Sequence, residues 1–254
     1  MASGSDHVVI LTDQGDILTF GCAEQGQLGR VPECFSSRGG RKGVQTLLDP
    51  QIVRFRRLKG VPKPKFCDVF CGTYHTFALT QDNRLYVWGL NNYGQLGLDD
   101  TESRYNPELL PADWIKDENS PEPTKYENLD ISGGQHHTVV CQSGRVYTFG
   151  RKEYGRLGLG ENSDEPQVPR NVPELRDVIR VATGSVCSFA VTKSGDIYSC
   201  GMGTNLQLGS GEEDDLWTFT KITGKKIENR DIIAASAGGQ HSALLVSLPQ
   251  EPME

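Results

Sequence analysis

The sequence has no apolar run near the roughly 18 residues that a membrane-crossing helix needs, so neither a membrane span nor a membrane partner is expected. Its first residues, MASGSDH, carry no basic n-region and no apolar h-region, which argues against a secretory leader. The seven cysteines (22, 34, 67, 71, 141, 187 and 200) form no CxxC pair, and the spacing of Cys67 and Cys71 suits neither zinc nor thioredoxin chemistry. They read as buried, reduced thiols of a nuclear or cytosolic protein. Both the GxxxxGK[ST] phosphate loop and the GxSxG elbow are missing, so no ordinary enzyme reading competes and no metal or other cofactor is expected. No stretch keeps helical periodicity over several turns. The net charge of −7 argues against a general nucleic-acid coat.

Glycine is what the chain has in excess. Its 29 glycines are about 11% of residues against an average of roughly 7%, which implies many tight turns. Hydrophobic residues make up 36%, as in a soluble globular protein. The 254 residues suffice for one large β domain or two ordinary ones.

Many of the glycines mark a repeat. Copies begin at Gly4, Gly72, Gly134, Gly184 and Gly239, and the first four close on Gly21, Gly89, Gly150 and Gly201. From each closing glycine a short turn follows: GCAEQGQLG, GLNNYGQLG, GRKEYGRLG and GMGTNLQLG. The starts are 68, 62, 50 and 55 residues apart, a period that belongs to solenoids, arrays or propellers. Within a copy, two short apolar runs flank a turn, as in VVILT-DQGD-ILTFG, and read as a β-hairpin. The expected fold is therefore all-β, a β-propeller of four repeats and part of a fifth, spanning 1–254 as one partial domain. The repeat is interrupted by a basic insertion at 30–66 and a proline- and charge-rich insertion at 99–128.

Two positions inside the repeat behave differently. Three residues after the leading glycine stand His7, His75, His137, Cys187 and Ser242, a consistency that suggests a hydrogen bond within the blade. One position earlier stand Asp6, Tyr74, His136, Val186 and His241, which differ in size, charge and polarity. A packing position would not tolerate that range. Either these residues are solvated loop ends, or each blade offers a different group to one asymmetric partner. His136 and His137 diverge on a strand, so they do not make a joint metal site.

The basic insertion concentrates charge. Residues 38–65 hold nine Lys or Arg and one acid, Asp49, a local net of +8. Such a face suits DNA phosphates or an acidic protein, unless it is merely a solvated loop. Arginine in particular suits bidentate pairing with carboxylates.

Several blocks are specific: CAEQGQLGRVPE followed by SSRGGRKG, then SGGQHHTV, GRKEYGRLGLGE, and GMGTNLQLG leading to KKIENR. They resemble the regulator-of-chromosome-condensation family over essentially the whole chain. That resemblance implies a seven-bladed propeller acting as a chromatin-bound, nuclear guanine-nucleotide exchange factor for the GTPase Ran. It would work by binding energy without covalent chemistry. The same resemblance implies that Asp6, Arg30, His136 and His241 face Ran. It also implies that Arg38 and Arg41 of RGGRKG belong to a loop entering the nucleosome acidic patch. Arg54, Arg56, Arg57 and Lys59 are candidates for DNA phosphates. A seven-bladed ring at this period needs roughly 350–400 residues, so the resemblance is to the C-terminal part of the family's propeller. The alternative is a propeller scaffold or fragment that binds proteins without exchange activity. A light sensor on this fold is disfavoured, because Trp88, Trp114 and Trp217 stand in unrelated contexts.

Overall fold

The computed structural model describes residues 1–30, 49–55, 63–115 and 125–248. Each repeat folds into an antiparallel meander, with strands lying in the sheet in chain order. The first sheet is β1 (Ala2–Ser3), β2 (His7–Leu11), β3 (Ile17–Gly21) and β4 (Gln51–Ile52). The second is β5 (Phe66–Cys71), β6 (His75–Thr80), β7 (Leu85–Gly89) and β8 (Arg104–Leu109). The third is β9 (Asp130–Gly133), β10 (His137–Gln142), β11 (Arg145–Gly150) and β12 (Arg170–Val172). The fourth is β13 (Val178–Thr183), β14 (Cys187–Thr192), β15 (Ile197–Gly201) and β16 (Leu216–Lys221). A hairpin of β17 (Ile232–Ala237) and β18 (Ser242–Val246) starts a fifth. Four blades and part of a fifth are what the sequence period led us to expect.

The chain divides into two compact units, Met1–Lys125 and Tyr126–Glu254. In the first, the two sheets share a core of Val9, Ile17, Val53, Phe66, Val69, Ala78, Tyr86 and Trp88. In the second, Val139, Val146, Val172, Val181, Ala190 and Phe219 belong to one cluster. A second cluster there joins Phe189, Leu208, Ile222 and Ile232. Strands β6, β10 and β14 are buried along their whole length. A strand covered on both faces needs a continuous apolar run rather than alternation, which is why FAL, VVC and FAV run unbroken in these three strands.

Two details refine the expectations. The two insertions hold the fourth strands of their sheets, β4 and β8, so they are not loops throughout. The third copy is one residue shorter because its hairpin closes in two residues, Ser143 and Gly144, with φ of 50° and 81°. Cysteine burial is uneven: Cys141, Cys187 and Cys200 are buried, Cys22 and Cys71 are half-buried, and Cys67 is exposed. Burial pushes the thiols of Cys141 and Cys187 up to about 11, so they stay protonated. Cys34 lies outside the described residues.

Candidate functional site

The leading glycine of each copy donates its N–H to the carbonyl three residues on: Gly4 to His7 (3.0 Å), Gly72 to His75 (2.8 Å), Gly134 to His137 (2.9 Å) and Gly184 to Cys187 (2.9 Å). The ring or thiol then lies over the glycine, where a methyl would collide with it. In the fifth copy the same bond runs from Gly238 to His241, 2.9 Å. The register there is one residue earlier than a start at Gly239 implies. His241 therefore belongs with His7, His75 and His137, and Gln240 takes the variable position.

The histidine row joins neighbouring blades, which corrects the expectation of a bond within the blade. His7 Nε2 is 3.0 Å from Thr76 Oγ1 in the next sheet, and His137 Nε2 is 2.9 Å from Ser188 Oγ. Thr76 donates its hydroxyl proton to the Gln27 carbonyl (3.3 Å), and Ser188 donates to the Arg156 carbonyl (2.7 Å). Each hydroxyl has one proton, so each histidine must donate from Nε2. His7 Nδ1 is buried without a partner among the described residues, and burial lowers the His7 pKa to about 4.

The variable position is held by its backbone carbonyl. The carbonyls of Asp6, Tyr74, His136 and Val186 accept from the N–H after the closing glycine: Cys22 (2.7 Å), Leu90 (3.0 Å), Arg151 (2.9 Å) and Met202 (3.1 Å). Those closing glycines have φ of 104° to 116°, and a methyl on any of them would run into that same carbonyl. The main chain is thus held identically in four copies while the side chain is free to differ.

The sites proposed from sequence distribute as follows. Asp6 is exposed, and Arg30 ends the turn that begins at Cys22; both belong to the first unit. Arg30 is half-buried and bound to its own blade, with Nε on Thr19 Oγ1 (3.1 Å) and Nη2 on the Thr19 carbonyl (3.0 Å). His136, half-buried, and His241, exposed, belong to the second unit. Burial, reinforced by the charges of Arg151 and Arg156, lowers the His136 pKa to about 4, so at neutral pH it offers hydrogen bonds and no charge. Arg54 is exposed beside Phe55, whose ring packs 4.7 Å from that of Phe66. Arg38, Arg41, Arg56, Arg57 and Lys59 lie outside the described residues. Two cations of the basic stretch are already engaged: Lys63 and Lys65 reach Asp16 at 2.8 and 3.4 Å. The free positive charge there is smaller than the residue count suggests.

Sequence reasoning passed over one functional candidate, Arg156, although the signal was visible as GRLG where two other copies read GQLG. A cavity of 560 Å³ lies between the β14–β15 turn and residues 221–232, at the opposite end of β14 from the variable position. Its lining Lys221 and Asp196 pair with each other at 2.8 Å.

Comparison with known proteins agrees with this fold. Residues 1–244 match the model of the RCC1-like domain. The chain is 49% identical to the regulator of chromosome condensation of Xenopus laevis over 97% of its own length and 56% of that protein. It is 31% identical to the guanine nucleotide exchange factor SRM1 of Saccharomyces cerevisiae, over 95% of this chain and 49% of that one. The crystal structure of Prp20p from Saccharomyces cerevisiae, described with its binding to Gsp1p and histones, superposes with a TM-score of 0.79 at 29% identity. That match covers 99% of this chain and 56% of Prp20p. The chain spans about half the length of the relatives it matches.

Proposed function

The chain belongs to the RCC1-like domain family, and from that premise we propose that it is the C-terminal part of a guanine-nucleotide exchange factor for Ran that is anchored on chromatin in the nucleus. The observation that carries this reading is the 49% identity to a regulator of chromosome condensation along nearly the whole chain. The name of SRM1 as an exchange factor, and the binding of Prp20p to Gsp1p and histones, support the two halves of the proposal.

The mechanism needs no covalent step. An exchange factor binds the nucleotide-free GTPase more tightly than the loaded one, and by linkage weakens nucleotide binding by the same factor. The variable positions supply chemically different groups, each on a main chain held by the same bond, and Arg30 adds a further one. Asp6 contributes a carboxylate, His136 a neutral imidazole and Arg30 a guanidinium steadied by Thr19. His241, from the neighbouring row but exposed, is the fourth residue proposed to bind Ran. Arg38 and Arg41 are proposed for the histone acidic patch, and Arg54, Arg56, Arg57 and Lys59 for DNA phosphates.

The test is release of fluorescent GDP from Ran, driven by this chain and by a protein extended N-terminally to a full ring. Acceleration by the chain alone makes its four proposed Ran-facing residues sufficient. Acceleration only by the longer protein makes the chain a necessary part of an exchange factor. If neither accelerates release while both are folded, the proposal falls and a binding scaffold without exchange activity replaces it.

A further inference from the structure

The turn after the closing glycine is built the same way in three of the four copies. A buried glutamine, Gln27, Gln95 or Gln207, turns its Oε1 back to accept the N–H two residues earlier. The bonds are Gln25 N to Gln27 (2.9 Å), Tyr93 N to Gln95 (2.9 Å) and Asn205 N to Gln207 (2.8 Å). In the third copy this position is Arg156. A guanidinium has five donors and no acceptor, so it cannot make that bond. The turn changes accordingly. Tyr154, at the position of Gln25, Tyr93 and Asn205, takes a left-handed φ of 62°, and Glu153–Gly155 tighten into a 3-10 turn.

Arg156 is left in an expensive position. It is 1% exposed, Nε donates to the Glu153 carbonyl at 2.8 Å, and Nη1 is buried with no partner among the described residues. No carboxylate among the described residues forms an ion pair with it. Glu153, the acid beside it, pairs with Arg151 instead. The Tyr154 ring covers the guanidinium, 5.6 Å from Cζ to ring centre, and is itself 43% exposed. The titratable groups that act on Arg156 are Arg151, Glu153, Tyr154 and Glu165, and its own charge acts on His136. An uncompensated buried charge destabilises a fold, and a glutamine serves this position in three sister turns. Internal packing therefore gives no reason for the charge, whereas an incoming anion does.

We propose that Arg156 is a partner-binding residue, which takes a carboxylate side chain of the protein docked around His136 once the Tyr154 ring swings off it. A carboxylate fits better than a phosphate. The planar fork of the guanidinium matches it, and Glu153 and Glu165 nearby disfavour a doubly charged group. The identity of the partner as Ran rests on the function proposed above.

The experiment measures binding of nucleotide-free Ran to the whole chain and to its Arg156→Gln and Tyr154→Gly variants, with thermal melting of each. Arg156→Gln installs the residue of the sister turns, so it is expected to melt at or above the parent. It should bind Ran at least about tenfold more weakly, mainly through faster dissociation. Tyr154→Gly uncovers the guanidinium and relaxes the left-handed backbone, and should speed association. Single carboxylate-to-amide changes on Ran then identify the acid: the one whose loss adds nothing to Arg156→Gln is its partner. If the parent chain binds Ran and Arg156→Gln binds equally well, this proposal is wrong and the exchange-factor reading survives. If neither the parent nor the protein extended N-terminally to a full ring binds Ran, both fall together; if only the extended protein binds, the same two substitutions are read in it. An Arg156→Gln variant that melts well below the parent makes Arg156 a structural residue. Competition by low-millimolar inorganic phosphate overturns the carboxylate assignment.

Discussion

Two adjacent positions of the same repeat, His7 and Asp6, are used in opposite ways. His7 is 2% exposed and its ring bonds the next blade through Thr76. Asp6 is exposed, and its own carbonyl, bonded to Cys22 N at 2.7 Å, fixes the main chain there. Successive residues of an extended chain point to opposite sides, so one step along the backbone separates a row that welds blades from a row that faces outward. Under the proposed function the propeller varies its binding surface while the main chain stays fixed, because the bond that holds each variable position runs through its backbone carbonyl.

The strongest way to break that separation is through the closing glycine, on which both rows depend. In Gly150→Ala the methyl meets the His136 carbonyl and the Cα of His137, at a φ of 104°. Destabilisation of roughly 3 kcal/mol or more is expected, measured by denaturant unfolding of the variant against the parent. The variant should also lose binding, as the carbonyl that anchors the variable position is displaced.

The next effect is smaller and depends on pH. Burial lowers the His7 pKa to about 4, whereas an unfolded histidine titrates near 6.5. Above pH 6.5 the ring is neutral in both states and the stability is fully present. Between 6.5 and 4 the unfolded chain takes up a proton that the folded one refuses, so stability falls as pH falls, by on the order of 3 kcal/mol in total. Unfolding free energies across that window should show this loss, and His7→Gln should reduce it, leaving the share of His136, whose pKa also lies at about 4. A slope unchanged in His7→Gln would place the titrating group elsewhere.

How much of this was legible beforehand follows the range of the interaction involved. The hairpins, the blade count and the consistent histidine row came from local patterns of glycine and apolar residues. The partner of that row did not, because Thr76 lies 69 residues from His7. The identical string GGQH at 133–136 and 238–241 drew His241 into line with His136. The bond from Gly238 to His241 and the pairing of Ala237 with Ser242 show the offset of one residue. Likewise, the charge of 38–65 was countable, but Asp16, reaching Lys63 from a hairpin 47 residues away, was not. Arg156 was readable as a break in GQLG, yet its meaning required seeing what the glutamines of the sister turns accept.

The smallest stability effect is the sharpest test of the comparison. Asp6→Ala removes an exposed carboxylate and leaves the Asp6 carbonyl on Cys22 intact, so unfolding free energy should change by no more than about 0.5 kcal/mol. Under the proposed function the same change should slow Ran-directed GDP release about tenfold in the full ring, about 1.4 kcal/mol of binding. His7→Ala should do the reverse, costing roughly 1–3 kcal/mol of stability through the buried donor–acceptor chain it breaks. Its exchange activity should change little at temperatures where it stays folded. If Asp6→Ala instead destabilises the fold as much as His7→Ala, the outward row carries framework after all, and its chemical variety no longer points to a partner.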